Sequence, residues 1–406
     1  MEVTGPTFSY TPLAWALKFP ILKTLSIKVF NYEANPLAIR LLKLLPSSDF
    51  NSGIHVEVSH TVLESSQSYE ALSYVWGDPT DVTPIRVNAR RHYVTVNLEL
   101  ALRYLRSENE EMVLWIDALC IKYVPSHLDI PNQNAQKVPS IILTRNAHSQ
   151  QDLEEKNYQV QRMREIYLKA KRVIVWLGEE RTAQLALDFC HRKERVAVPQ
   201  GDARINSSPE IDACLDLFVA RPWWNRIWTV QEVYTVSPVE FRIGKLNVEF
   251  SVMREYYRYF YMSVIWDGTP HAKASYLKLF RIGCLPQPVA WGRQELVYEE
   301  KLGKEKLGQP LLSLLQKTRG MQASDPRDKI FALHGLVREK EVITVDYTAS
   351  KHNVFINVTR ALLETNWDML EDILLSVESV DRDPQLPSWV PDFSSRQRAI
   401  PLVMRY

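Results

Sequence analysis

Short, nearly continuous apolar runs alternate with stretches of helical period over the first 250 residues. Residues 39–45 read as an entry strand, and residues 55–58, which alternate, as its partner. Residues 71–76 form an apolar run closed by Gly77, Asp78 and Pro79, the pattern of a buried strand ending in a turn. Residues 84–88 and 93–96 predict a hairpin. Asn97 then reads as the cap of a helix with apolar positions Leu98, Ala101, Leu102 and Leu105. Residues 112–119 and 172–178 predict two more buried strands. Between them a helix over 154–170 carries Val160, Met163, Ile166 and Tyr167 on its inner face. A helix over 183–191, a polar loop, a tryptophan-rich helix and a strand over 239–243 complete this part.

Buried strands interleaved with helices predict an α/β fold, a parallel sheet flanked by helices on both faces. The working edge of such a sheet lies at the carboxyl ends of its strands. Those ends hold Trp76 and Asp78, Asp117 and Cys120, and Glu179. After residue 250 the pattern changes to aromatic-rich helices without clear strands. The expected organisation is an N-terminal extension over 1–37, a domain over 38–250 and a mainly helical C-terminal region over 251–406. That region includes a charged, exposed stretch at 298–306, a capped helix start at 325–329 and a proline-pinned extended segment at 386–392. The stop soon after that segment raises the expectation of a truncated C-terminus.

Composition narrows the function classes. The chain has 406 residues, 46% hydrophobic and 24% charged, an ordinary globular balance. A net charge of +1 gives no bulk electrostatic pull toward nucleic acid or an anionic membrane. Cys120, Cys190, Cys214 and Cys284 form no CxxC pair and read as reduced thiols of a cytoplasmic protein. The histidines show neither HExxH nor zinc spacing, so no metal site is expected. No GxGxxG or Walker loop announces a bound cofactor. No run is apolar enough to span a bilayer; residues 13–30 are broken by Lys18, Pro20, Lys23 and Lys28 and read as an amphipathic helix or a targeting segment.

The densest chemistry lies in residues 221–232. Trp224, Trp228 and Glu232 fall four apart, so one continuous helix would stack them along a single face. A carboxylate beside indoles is partly desolvated. It is either paired for structure with Arg221 or Arg226, or held ready for chemistry.

Taken together, residues 69–78, 114–121, 155–178 and 221–232 resemble the successive blocks of the fungal heterokaryon incompatibility (HET) domain. Residues 325–333 and 386–392 are similar to segments that follow this domain. The resemblance runs from about 38 to 392. It implies a fungal protein of non-self recognition and programmed cell death, with an unknown protein partner. The family in turn resembles TIR domains, which have a flavodoxin-like sheet. Some of these cleave NAD at its bond to nicotinamide with a glutamate, often four residues after a tryptophan. Carried over, Glu232 is the candidate catalytic carboxylate, and Trp76, Asp78, Asp117 and Trp228 are candidates for holding NAD as substrate. Self-association is expected, because such enzymes usually work when clustered.

Each candidate has a structural alternative. For Glu232 it is an ion pair with Arg221 or Arg226, for Trp224 and Trp228 core packing, and for Asp78 and Asp117 a turn or cap role. Glu155 reads as the partner of a nearby basic residue, and Cys120 as a small buried hydrophobe. The competing function is a non-catalytic signalling module that acts through assembly.

One departure from the family pattern stands out. After Cys120 and Ile121 the family usually continues Asn-Gln, whereas this chain has Lys122 and Tyr123 and regains the pattern only near Gln150. Residues 122–149 are aperiodic and long for a loop. They read as a stretch translated from a retained intron, with a genuine surface insertion as the alternative. Codons for Lys122, Tyr123 and Val124 can contain a GTATGT donor site, and those for His148 and Ser149 an AG acceptor. Joining the leftover bases restores Asn followed by Gln.

Overall fold

A computed structural model of the chain describes residues 38–121, 150–192, 209–266 and 310–395, apart from Ser66, Val236 and residues 338–341, 366–369 and 378–380. The expected extension over 1–37, the insertion over 122–149 and the charged stretch at 298–306 lie outside the described residues. The chain divides into two units, Met1–Ala38 and Ile39–Tyr406, and the second carries the architecture below.

Among the described residues nine strands form one sheet. They are β1 (Ala38–Leu44), β2 (His55–Val62), β3 (Glu70–Ser73), β4 (Val82–Val87), β5 (Arg90–Thr95), β6 (Met112–Trp115), β7 (Val173–Trp176), β8 (Val239–Ile243) and β9 (Leu246–Glu249). Their order is β5-β4-β2-β1-β6-β3-β7-β8-β9. The centre, β6-β3-β7-β8, is parallel. β3 and β7 are buried on both faces, which is why they read as continuous apolar runs, whereas β8 alternates buried and half-buried positions. The sheet as a whole is mixed rather than parallel. Two-residue turns join β4 to β5 and β8 to β9, and such short links permit only antiparallel pairing. The first turn has Asn88 at φ 49° and Ala89 at φ 66°, the doubly left-handed form that suits a hairpin. β1 also runs antiparallel to β6.

Helices cover both faces of the centre. The helices are α1 (Val96–Leu105), α2 (Asp117–Cys120), α3 (Gln150–Lys169), α4 (Ala183–Arg192), α5 (Pro209–Leu215), α6 (Trp228–Val233) and α7 (Phe250–Trp266). Register aligns Trp115, Ala71 and Val173 on one face, with Ser73, Val175 and Phe241 in the next alternate row. On that face Tyr167 of α3 meets Trp115 edge-on at 5.4 Å, and Trp223 and Trp224 pack on Phe241. On the other face Tyr104 of α1 lies over Trp176 at 5.3 Å.

Several expected boundaries shift. β3 ends at Ser73 and β6 at Trp115, short of the apolar runs that announced them. Asn97 is not the cap of α1. Thr95 holds that position without a side-chain bond. Asn97 lies in the first turn instead, donating to Val75 O at 2.6 Å and accepting from Trp176 Nε1 at 3.1 Å. β9 was not legible, because four residues with one buried side chain carry too little pattern.

The C-terminal part is helical, with α8 (Leu311–Thr318), α9 (Asp328–Phe331), α10 (Lys351–Thr365) and α11 (Leu370–Val377). It packs on the sheet domain: Arg164 of α3 donates to Gly335 O, and Asn157 accepts from the Tyr347 amide at 2.9 Å. No helix among the described residues is long and apolar enough to cross a membrane.

Candidate functional site

The four parallel strands run, in chain order, second-first-third-fourth across the sheet: β6, β3, β7, β8. The chain therefore changes direction of progress on either side of β3, and ligand crevices in such sheets open at that switch point, beyond the carboxyl ends. Ser73 ends β3 there, Tyr74 follows it, and Asp117 opens α2 just past β6.

Residues 221–233 bring the remaining groups to this edge, but not as the single helix their spacing predicts. Pro222–Asn225 is a 3-10 turn, Arg226 is extended at φ −79° and ψ 125°, and α6 begins only at Trp228. The break parts what one helix would stack: Trp224 packs on Trp223 at 4.9 Å, whereas Trp228 turns to the C-terminal region. Trp223 donates its Nε1 to Ser73 Oγ at 2.8 Å, and Trp224 donates to Leu217 O at 2.8 Å. Trp228, within the same helix as Glu232, donates to Asp328 Oδ2 at 3.1 Å.

Arg226 is the centre of the cluster. Its Nη1 donates to Glu232 Oε1 at 2.9 Å and to Tyr74 O at 2.9 Å, and its Nη2 donates to Asp117 Oδ2 at 3.2 Å. The same Asp117 oxygen accepts from Trp76 Nε1 at 2.9 Å, while its other oxygen accepts from the Ala118 amide at 2.7 Å. Ser73 Oγ donates to the second Glu232 oxygen, so both oxygens of that carboxylate are engaged. Glu232 is 0% exposed and Trp76 is 41% exposed, which makes the site a buried ionic floor under an accessible indole.

The electrostatics follow from that depth. Complete burial raises the Glu232 carboxyl above its ordinary value, against the opposing pull of Arg226 and the Ser73 bond. Burial works against the Arg226 charge too, but Glu232 and then Asp117 outweigh it and hold the guanidinium above its usual range. Burial, then the charge of Asp117, pushes the Tyr74 phenol well up. A buried carboxylate of this kind persists as an ion only because its pairing and hydrogen bonds offset desolvation.

Three of the sequence candidates, Trp76, Asp117 and Glu232, therefore meet through Arg226. Two stand apart. Asp78 is exposed and closes its own turn, accepting from the Thr80 amide at 2.8 Å and Thr80 Oγ1 at 2.6 Å; these bonds lower its carboxyl. Trp228 is engaged by the C-terminal region. The structural roles expected elsewhere take definite partners: Glu155 pairs with Arg40 at 2.6 Å, and burial pushes the Cys120 thiol up to about 12. Ser73 and Trp223 were missed. A serine inside a buried apolar run signals a hydrogen-bonded partner, and that signal was present at Ser73. Cys190 and Cys214, 24 positions apart, come to 3.9 Å as free thiols. No group of three or more His, Cys, Asp or Glu side chains among the described residues is arranged to hold a metal ion.

Comparison with known proteins adds to this geometry. Residues 69–141 and 149–232 match the family model described as heterokaryon incompatibility protein (HET), so the matched stretch holds every residue of the Arg226 cluster. The chain is 25% identical over 441 residues to Heterokaryon incompatibility protein 6, OR allele, of Neurospora crassa, covering 91% of this chain. It spans 60% of that relative's length. No solved structure matches the chain.

Proposed function

This chain carries a HET domain, and from that premise we propose that it acts in heterokaryon incompatibility, the recognition of non-self between fungal cells, with programmed cell death as the outcome. Its resting form works as a signalling module. The observation that carries this reading is the state of Glu232: fully buried, paired to Arg226 at 2.9 Å and bonded to Ser73, it is a structural ion rather than an accessible catalytic carboxylate. In this reading Trp76, exposed at the strand edge, belongs to the surface that meets a protein partner or a second copy of the chain, in the cytoplasm.

A second reading, a TIR-like NAD glycohydrolase, is favoured by one specific arrangement. Two carboxylates, Asp117 and Glu232, lie at the carboxyl ends of the parallel strands, beside the switch point and beneath an exposed indole. A glutamate that stabilises or attacks an oxocarbenium-like ribosyl centre is sound chemistry. It requires that Arg226 release Glu232, for example when copies cluster.

The deciding experiment expresses the full chain and its Glu232→Gln variant in a fungal host and follows viability, NAD and nicotinamide together. Death with NAD unchanged supports the module. NAD loss with the parent and none with the variant replaces it by the enzyme. Light scattering on the same protein reports whether it self-associates.

A further inference from the structure

Arg226 lies inside the matched domain but is held in place from outside it. Gln322 spans the break: its amide donates to Asn225 O at 2.5 Å, and its carbonyl accepts from the Ile227 amide at 2.9 Å. The peptide groups on both sides of Arg226 are thus tied to one residue of the C-terminal region. Lys329 Nζ steadies the Gln322 turn by donating to Arg319 O at 2.9 Å and to Met321 O. Further along, Trp228 Nε1 reaches Asp328, whose other oxygen accepts from Tyr347 OH at 2.5 Å. The Gln231 amide, turned so that both its ends are satisfied, donates to Ala332 O at 3.1 Å and accepts from the Arg164 amide at 3.2 Å.

These contacts oppose what the local sequence prefers. Residues 223–233 carry no proline or glycine, and their spacing is that of one amphipathic helix. An extended residue between two helical segments leaves flanking amide and carbonyl groups that need partners, and Gln322 supplies them. The geometry of the site depends on this break. On an uninterrupted helix residues six apart are separated by about 240° of rotation and about 9 Å of rise. Arg226 and Glu232 would then face different directions and could not pair.

We propose that residues 319–332 form a clasp that holds the chain broken at Arg226, and that its release lets residues 222–233 close into one helix, unpairing Glu232. The domain thereby has two states, and the region following it selects between them. Sensing of a partner by the C-terminal region reaches the site by this route. The inference rests on the reading that the Arg226 cluster is the working part of the domain.

Two variants loosen the clasp without touching the cluster. Tyr347→Phe removes the hydroxyl that anchors Asp328. Gly335→Ala places a Cβ 2.6 Å from Arg164 Cβ and 3.0 Å from its Cδ, so the segment must shift away from α3. Hydrogen exchange of the full chain reads the result amide by amide. The expected outcome is exchange at Ile227 faster by about tenfold, the equivalent of one lost hydrogen bond, with β7 and β8 unchanged. Unchanged exchange over 225–229 in both variants, or an equal rise throughout the sheet, overturns the clasp. The functional arm measures cell death on expression. Both variants should kill more strongly than the parent; weaker killing would make the segment a support and not a restraint. Adding Glu232→Gln to each variant separates the two readings. If killing persists undiminished, Glu232 is not needed for the death signal and the NAD-cleaving reading fails, independently of the exchange result.

Discussion

Arg226 and Glu232, six positions apart in the chain, meet at 2.9 Å because the backbone between the 3-10 turn and α6 is extended at Arg226. Glu232 is fully buried and Arg226 partly so, and Arg226 also holds Asp117 and Tyr74 O. Its removal leaves two carboxylates without their counter-charge.

Arg226→Met is expected to cost about 3–5 kcal/mol, the penalty of stranding a buried charge. The double variant Arg226→Met, Glu232→Leu should recover part of that loss, because only Asp117, still bonded by Trp76 Nε1 and the Ala118 amide, is then left without its counter-charge. Denaturant midpoints of the parent, both single variants and the double variant check this. A double variant as unstable as the sum of the singles would mean that the ion pair is not what holds this edge.

The raised carboxyl of Glu232 sets a pH dependence of definite sign. The folded state binds this proton more tightly than the unfolded state, so stability falls as pH rises through the window between the ordinary glutamate value, 4.5, and the raised folded one. Lowering the pH from 7 into that window should therefore stabilise the parent relative to Glu232→Gln, which has no proton to gain. Depressed carboxyls have the opposite effect. Burial alone would raise Asp325 and Asp392, but the bonds of Arg327 to the first and of Ser394 and the Asp383 amide to the second keep both below 3.8; the stability they add at neutral pH is lost as pH falls through their folded values. Melting curves of parent and variant at stepped pH isolate the Glu232 contribution, since the other groups cancel in the difference.

Ala89 occupies the left-handed region at φ 66° in the β4–β5 turn, where its Cβ crowds the backbone. Ala89→Gly should raise stability by about 1 kcal/mol, the relief of that crowding less the extra freedom of glycine in the unfolded chain. The change touches no residue of the Arg226 cluster. Thermal unfolding measures it directly.

Residues 122–149 make a prediction about the transcript. Spliced reads should join the codon of Ile121 to a restored Asn codon followed by Gln150, removing the aperiodic stretch. Sequencing of the messenger RNA decides it, and reads that cross the region unspliced in every sample establish a true insertion. The two stretches matched to the family model, 69–141 and 149–232, are interrupted within this segment.

What the sequence determined by itself is most of the elements and of the candidate chemistry. Continuous apolar runs announced β3, β6 and β7, because strands covered on both faces have no polar side to show. The end of each run marked the edge where Trp76, Asp117 and Glu232 gather. Tertiary structure alone decided how they gather. Local spacing favours one helix through Trp224, Trp228 and Glu232, and nothing nearby in the chain contradicts it. The break at Arg226 is supplied by Gln322, almost a hundred positions away, and Asp328 similarly claims Trp228. Asn97 shows the same limit: its place suggested a helix cap, yet two groups on β7 and the β3 loop use it as a bridge. Periodicity reports the average environment of a segment, whereas a hydrogen bond or an ion pair depends on which distant group arrives beside it. For that reason the fold class and the candidate carboxylates were legible in the chain, and the pairing that determines the chemical state of Glu232 was not.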